Sequence, residues 1–312
     1  MWLPAIVLLV LASGCRSTPA TFDENRANGR AALRAGRVEQ AERYFLDAQR
    51  IAENGPAQDK VATILEDLSQ LYITREEFGK ADAAIRRALA IRASAPAGDA
   101  LAVARVTDRV AWLAMKQGRF DEALKKYGES LAMVEKALGP DHLRVAEAVE
   151  RLAQVQVRQR QYDEALKAYE RSLRIREALV GPVHEDVADA LDRIGQVHLA
   201  AARAPDAELV LTRAVSIRET APADARALAE SLRRLGLARQ AQRRYDEADG
   251  AFRKARAALE TSGQVGELQD VLRLVLETHA RLLLETGRSE EADTLKDLAR
   301  AIRDKSTRAA GN

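Results

Sequence analysis

Residues 118–127 read GRFDEALKKY, residues 160–169 read RQYDEALKAY, and residues 243–252 read RRYDEADGAF. Aligned on its alanine, the phrase recurs at Ala41, Ala81, Ala123, Ala165, Ala207, Ala248 and Ala292, with spacings of 40, 42, 42, 42, 41 and 44. A fixed period of this size marks a chain built from stacked supersecondary units. Seven units then run from about residue 23 to 304.

Two further columns keep step with the alanine. Twelve residues before it stand Gly29, Ser69, Ala111, Ala153, Gly195, Gly236 and Ala280; seven after it stand Ala48, Ala88, Ser130, Ser172, Ala214, Ala255 and Ala299. Small residues at all three let two helix backbones approach closely. Four after the alanine come the large apolar residues Phe45, Ile85, Tyr127, Tyr169, Leu211 and Phe252, a column that Lys296 breaks in the seventh unit. Within a unit the apolar spacing is helical: Leu152, Val155, Tyr162, Leu166, Tyr169, Leu173 and Ile175 predict the inner faces of two helices, about 141–160 and 162–179. Gly36, Gly118 and Gly287 mark turns inside hairpins, and Gly139-Pro140, Gly181-Pro182 and Ala221-Pro222 mark junctions between them. The organisation expected is fourteen helices in seven hairpins.

Composition agrees with an all-α fold. Aromatics are 4% of the 312 residues, and the 8 prolines and 17 glycines are sparse, so helix formers dominate. With 49 basic and 47 acidic residues interspersed, no single-sign block offers a nucleic-acid footprint. The single cysteine, Cys15, excludes an internal disulfide and a cysteine-based zinc cluster.

The small-residue and alanine columns resemble the tetratricopeptide repeat. The 42-residue period, with GPDHLRVAEAV (139–149) and GPVHEDVADAL (181–191) ahead of YDEALKAYERSLRIREAL (162–179), is similar to the longer-helix form found in kinesin light chains. The resemblance covers residues 23–304 and implies a right-handed α-solenoid of about seven hairpins. It also implies a protein or peptide partner held along a concave groove lined by the first helix of each hairpin. One hairpin cannot bury its apolar face alone, which is why the chain repeats it.

The first fifteen residues, MWLPAIVLLVLASGC, contain an apolar run, Leu3 to Ala12, of signal-peptide length and too short for a membrane-spanning helix. Its end, Leu11-Ala12-Ser13-Gly14-Cys15, resembles the lipobox of bacterial lipoproteins, which implies cleavage after Gly14 and lipidation of Cys15. The alternative is ordinary secretory cleavage with a free thiol left behind. The lipobox reading divides the chain into a signal peptide (1–14), a tether (15–22), the repeat domain (23–304) and a flexible tail (305–312). It places the protein in a bacterial cell envelope, lipid-anchored, with Arg16 pointing to the outer membrane and the repeats facing the periplasm.

The sequence contains no HExxH pair, glycine-rich phosphate loop or nucleophile elbow, so no enzyme activity, cofactor, metal or small-molecule substrate is expected. His142 and His184, one period apart in the GP-x-H junctions, are read as junction residues that pack against or cap the next helix rather than as ligands. The distinctive chemistry is a column of arginines fourteen residues before the alanine: Arg109, Arg151, Arg193 and Arg234. The kinesin-light-chain pattern usually has asparagine there. A ladder of guanidinium forks suits carboxylates, so an acidic peptide segment is the expected ligand. The competing reading is a self-paired surface, because Glu147, Asp189 and Glu230 lie four residues before three of the arginines, with Asp108, Glu150 and Asp192 close by. Unit three departs from this, with Arg105 where an acid would stand and Trp112 and Lys116 on the following turns. Trp112 is either a groove-facing hot spot or a wedge between units.

Three functions compete. The first is a membrane-anchored interaction scaffold. The second is an assembly lipoprotein permanently buried in an envelope, secretion or pilus complex. The third is a cytosolic or nucleic-acid scaffold, which the balanced charge disfavours.

Overall fold

The computed structural model describes residues 20–95, 99–220, 224–262 and 268–310. The signal peptide, Cys15 and most of the tether therefore lie outside the described residues. Among them are fourteen helices and no strand, paired as seven antiparallel hairpins in an all-α repeat solenoid. The chain divides into two units, Met1–Gly98 and Asp99–Asn312.

The first unit holds α1 (Phe22–Arg34), α2 (Val38–Glu53), α3 (Gln58–Thr74) and α4 (Phe78–Ser94). The second holds α5 (Ala100–Lys116), α6 (Phe120–Leu138), α7 (Leu143–Arg158), α8 (Tyr162–Val180), α9 (Glu185–Ala200), α10 (Ala204–Thr220), α11 (Ala225–Ala241), α12 (Tyr245–Thr261), α13 (Gln269–Glu285) and α14 (Ser289–Ala310). In this unit each helix packs on its hairpin partner, α6, α8, α10 and α12 each pack on the first helix of the next hairpin, and α9, α11 and α13 also touch in turn. The last helix continues to Ala310, where the sequence reading ends the repeat at 304 and begins the tail.

The repeated phrase is a complete instruction for a hairpin. At its first position Gly118 takes φ +76°, and all seven units use a left-handed residue there: Gly36, Glu76, Gly118, Arg160, Ala202, Arg243 and Gly287. That conformation reverses the chain and lets the next amide reach back, as from Arg119 N to Ala114 O at 2.8 Å. Asp121 and Glu122 then occupy the first turn of α6, where the helix dipole favours negative charge. The alanine of the phrase is wholly buried in every unit. Capping differs between the two helices of a hairpin. Thr21, Asp99, His142, His184 and Asp224 cap α1, α5, α7, α9 and α11 through their side chains.

The small and large columns meet across each hairpin. An added Cβ on Gly29, Gly195 or Gly236 would lie 2.4, 2.6 and 2.6 Å from side-chain atoms of Phe45, Leu211 and Phe252 respectively. Phe45, Ile85, Tyr127, Tyr169, Leu211 and Phe252 are all buried. Lys296 instead pairs with Asp293 at 2.9 Å on the outer helix of the last hairpin. Among the described residues no helix is long and apolar enough to cross a membrane.

Candidate functional site

Each arginine of the ladder stands on a first helix. Arg151 Nη1 donates to Asp108 Oδ2 at 2.9 Å, and its Nη2 lies 3.7 Å from Glu147. Arg193 Nε lies 3.6 Å from Glu150, and Arg234 Nη1 lies 3.6 Å from Asp192. Arg234 also donates to Glu230 at 2.9 Å. With its amide oriented to suit its donors, Gln196 accepts from Arg234 Nε and Nη2 at 3.1 and 3.0 Å.

The ladder is thus stitched between hairpins: an acid of one first helix holds the arginine of the next. This favours the self-paired reading, with one difference from the sequence expectation. Asp189 does not pair with Arg193 four residues on; its carboxylate is taken by Arg218 at 2.5 Å. In unit three Arg105 is exposed and Arg109 half-buried, and neither is a free cation. Trp112 is half-buried and packs against the cluster that includes Ala111, Tyr127 and Val155, while exposed Lys116 places its ammonium 5.3 Å from the indole centroid. It acts as a wedge between units that keeps one face available to a cation.

A second arginine column escaped the sequence reading. Arg92, Arg176 and Arg218 stand on the second helices, each 26 residues after a buried acid: Glu66 (2.6 Å), Glu150 (3.0 Å) and Asp192 (2.5 Å). The signal was present in the recurring Ile-Arg pairs at 91–92, 175–176 and 217–218. Arg218 is the most enclosed, 1% exposed, and also binds Glu185 at 2.8 Å and the Ser231 hydroxyl. Asp192 further accepts from Ser231 at 2.7 Å. The column lapses at Val134 in unit three, and burial pushes the Asp108 carboxyl up.

Three recesses follow one another along the first helices of the second unit. The largest, about 540 Å³, lies between α7 and α9, with Met115, Val157, Val197 and Ala200 as its apolar lining. Its polar groups are Gln154, Gln196, Arg158, Arg193 and Tyr169, whose hydroxyl burial pushes up to about 12. No carboxylate is among the described residues lining it, and Arg158 has no acid partner among them. The next recess, about 290 Å³ between α9 and α11, shares Arg193 and Gln196 but is charge-balanced, with Asp189, Asp192, Asp224 and Glu230 facing Arg193, Arg218, Arg226 and Arg234. The third, about 430 Å³, lies between α11 and α13.

Arg193 therefore touches two recesses and Arg234 one, while Arg105, Arg109, Trp112, Lys116 and Arg151 are not among the lining residues of the three. His142 and His184 behave as caps: each Nδ1 accepts a backbone amide, from Arg144 and Asp186, at 3.1 Å. Among the described residues no group of histidine, cysteine and acid side chains could hold a metal.

The sequence model of the tetratricopeptide repeat matches residues 102–178 and 145–220. No curated protein matches the chain. Similar solved structures include BtubC (BKLC) from P. vanneervenii, 20% identical over 77% of this chain and 92% of that one, with a TM-score of 0.61. The apo form of RapI is 15% identical over 92% and 99%, with a TM-score of 0.64. A putative kinesin light chain of Podosopora anserina is 18% identical over 67% and 99%, with a TM-score of 0.59. These identities establish a shared fold, and the hairpin columns continue on both sides of the matched segment. Residues 102–220 match the tetratricopeptide repeat, and the chain shares the fold of tetratricopeptide-repeat solenoids.

Proposed function

We propose that the protein is a non-enzymatic, membrane-anchored scaffold whose first-helix groove holds an acidic peptide segment of a partner protein. The tetratricopeptide-repeat fold is a protein–protein interaction scaffold, and the finer reading adds the anchor and the ligand class. One observation carries the ligand class: the α7–α9 recess combines an apolar lining with two amides and two guanidinium groups and has no carboxylate among its described lining residues. In a chain with 47 acidic residues, such a recess suits an extended backbone bearing negative side chains. A preformed groove needs little ordering to bind.

The anchor reading is supported by the apolar run and by Cys15 at the end of LASGC. Acylation would hold the groove at the envelope surface and raise its effective concentration toward partners there. The test is crosslinking in cells and capture from the membrane fraction, comparing wild type, Cys15→Ser, and Arg158→Gln with Arg193→Gln. The reading expects Cys15→Ser to leave the membrane fraction and the double variant to lose its acidic partner with helicity unchanged. An unchanged set of partners in the double variant would move binding away from this recess.

A further inference from the structure

In four consecutive hairpins the position fifteen residues before the repeat alanine is an acid: Glu66, Asp108, Glu150 and Asp192. In the sixth hairpin it is Arg233, and the second-helix position that carries Arg92, Arg176 or Arg218 elsewhere is the fully buried Leu259. The charge of the column is reversed here as it is at Arg26 in the first hairpin, but Arg26 Nε donates to Asp67 at 2.6 Å, whereas at Arg233 the usual partner position is apolar.

Arg233 is half-buried, and its Nε is shut off from solvent without a hydrogen-bond partner. No carboxylate among the described residues pairs with it. Glu230, one turn away, is already held by Arg234 at 2.9 Å. Burial and the neighbouring Arg234 together hold the Arg233 guanidinium below the usual arginine range. A partly buried, unpaired cation is destabilising unless a counter-charge arrives from outside.

One turn along α11 from Arg233, Leu237 lines the α11–α13 recess. Arg243 and Arg281 in that recess also lack an acid partner among the described residues. Its one lining carboxylate, Glu285, accepts from Gln240 Nε2 at 2.6 Å and from the Tyr245 hydroxyl at 3.0 Å. The recess thus has spare donors and a carboxylate already occupied.

We propose that the α11–α13 recess, together with Arg233 one turn away along α11, is a carboxylate-binding site for the acidic segment, with Arg233 taking a ligand carboxylate that the protein itself does not supply. The site rests on the acidic-segment reading and adds a second grip, two first helices beyond the α7–α9 recess. It also requires that the free protein be strained at Arg233, so stability and binding there oppose each other.

The experiment uses the full chain with a fluorescent octaglutamate peptide, an octaglutamine peptide as the uncharged control, and a thermal melt of each variant. Arg233→Leu is expected to weaken octaglutamate binding at least about tenfold, the loss of one charge-assisted contact, while raising the melting temperature by about 2–4 °C. Unchanged binding, or a lower melting temperature, would overturn the site. Arg158→Gln with Arg193→Gln separates the two ideas. Loss of binding in that variant but not in Arg233→Leu would leave the acidic-segment reading standing and remove this site. Failure of the wild type to prefer octaglutamate over octaglutamine would remove both.

Discussion

Gly195 on α9 faces Leu211 on α10 so closely that an added Cβ would lie 2.6 Å from the leucine Cγ. Leu211 is fully buried and cannot swing away. Gly195→Ala should therefore destabilise the second unit by about 1–3 kcal/mol through overpacking, despite the gain of about 1 kcal/mol in helix propensity. Gly250 in α12 has nothing within 4 Å of its added Cβ, so Gly250→Ala should stabilise by about 0.5–1 kcal/mol. Denaturant melts of the two variants check the contrast, and equal effects would mean the helices do not cross at Gly195.

Ala202 turns the α9–α10 hairpin with φ +57°, where the first, third and seventh hairpins use glycine. Ala202→Gly should stabilise by about 1 kcal/mol by removing left-handed strain at a non-glycine residue. A melt that shows a loss would place Ala202 outside the left-handed region.

Arg218 neutralises Asp192, which is 6% exposed, from within the core. Arg218→Met should cost about 3–5 kcal/mol because the carboxylate stays buried with its cation gone. Adding Asp192→Asn should recover much of that loss, since a neutral amide is cheaper to bury. A single-variant cost below about 1 kcal/mol would show that solvent reaches the site.

His279 lies against Phe252, with ring centroids 5.6 Å apart, and its Nε2 meets Asp249 Oδ1 at 2.5 Å. Its Nδ1 is buried without a partner, so a second ring proton has nowhere to donate, and burial holds the imidazole below its usual range against the pull of Asp249. Burial depresses His198 in the same way. A base with a depressed folded pKa gives stability that is complete above the unfolded value, about 6.5, and is lost as pH falls through the folded value. Thermal stability should therefore fall below about pH 6.5, by at most about 1.4 kcal/mol per pH unit for each histidine. Burial raises Asp108 and Asp189, whose effect is opposite in sign. His279→Gln with His198→Gln should flatten the slope between about pH 6.5 and 5, and an unchanged slope would assign it to other groups.

The hairpin count, the crossing columns and the capping role of His142 and His184 were legible because each is a local rule repeated seven times or confined to one turn. A buried alanine column needs only a period to be seen. The inter-hairpin ion pairs were half legible. The acids were visible beside the arginines, but Asp189 has two arginines within reach, and only packing selects Arg218 over Arg193. Arg233 stayed hidden because the sequence shows one more arginine in an arginine-rich chain, and a missing partner has no signature along the chain.

The sequence by itself determined the period, the helices and which faces must be buried, because helix periodicity and side-chain size act over a few residues. Only the tertiary structure decided which charges neutralise one another. The pairs of Arg92, Arg176 and Arg218 with their buried acids join positions 26 residues apart, and whether a guanidinium such as Arg233 finds a carboxylate depends on the few ångströms that separate one first helix from the next.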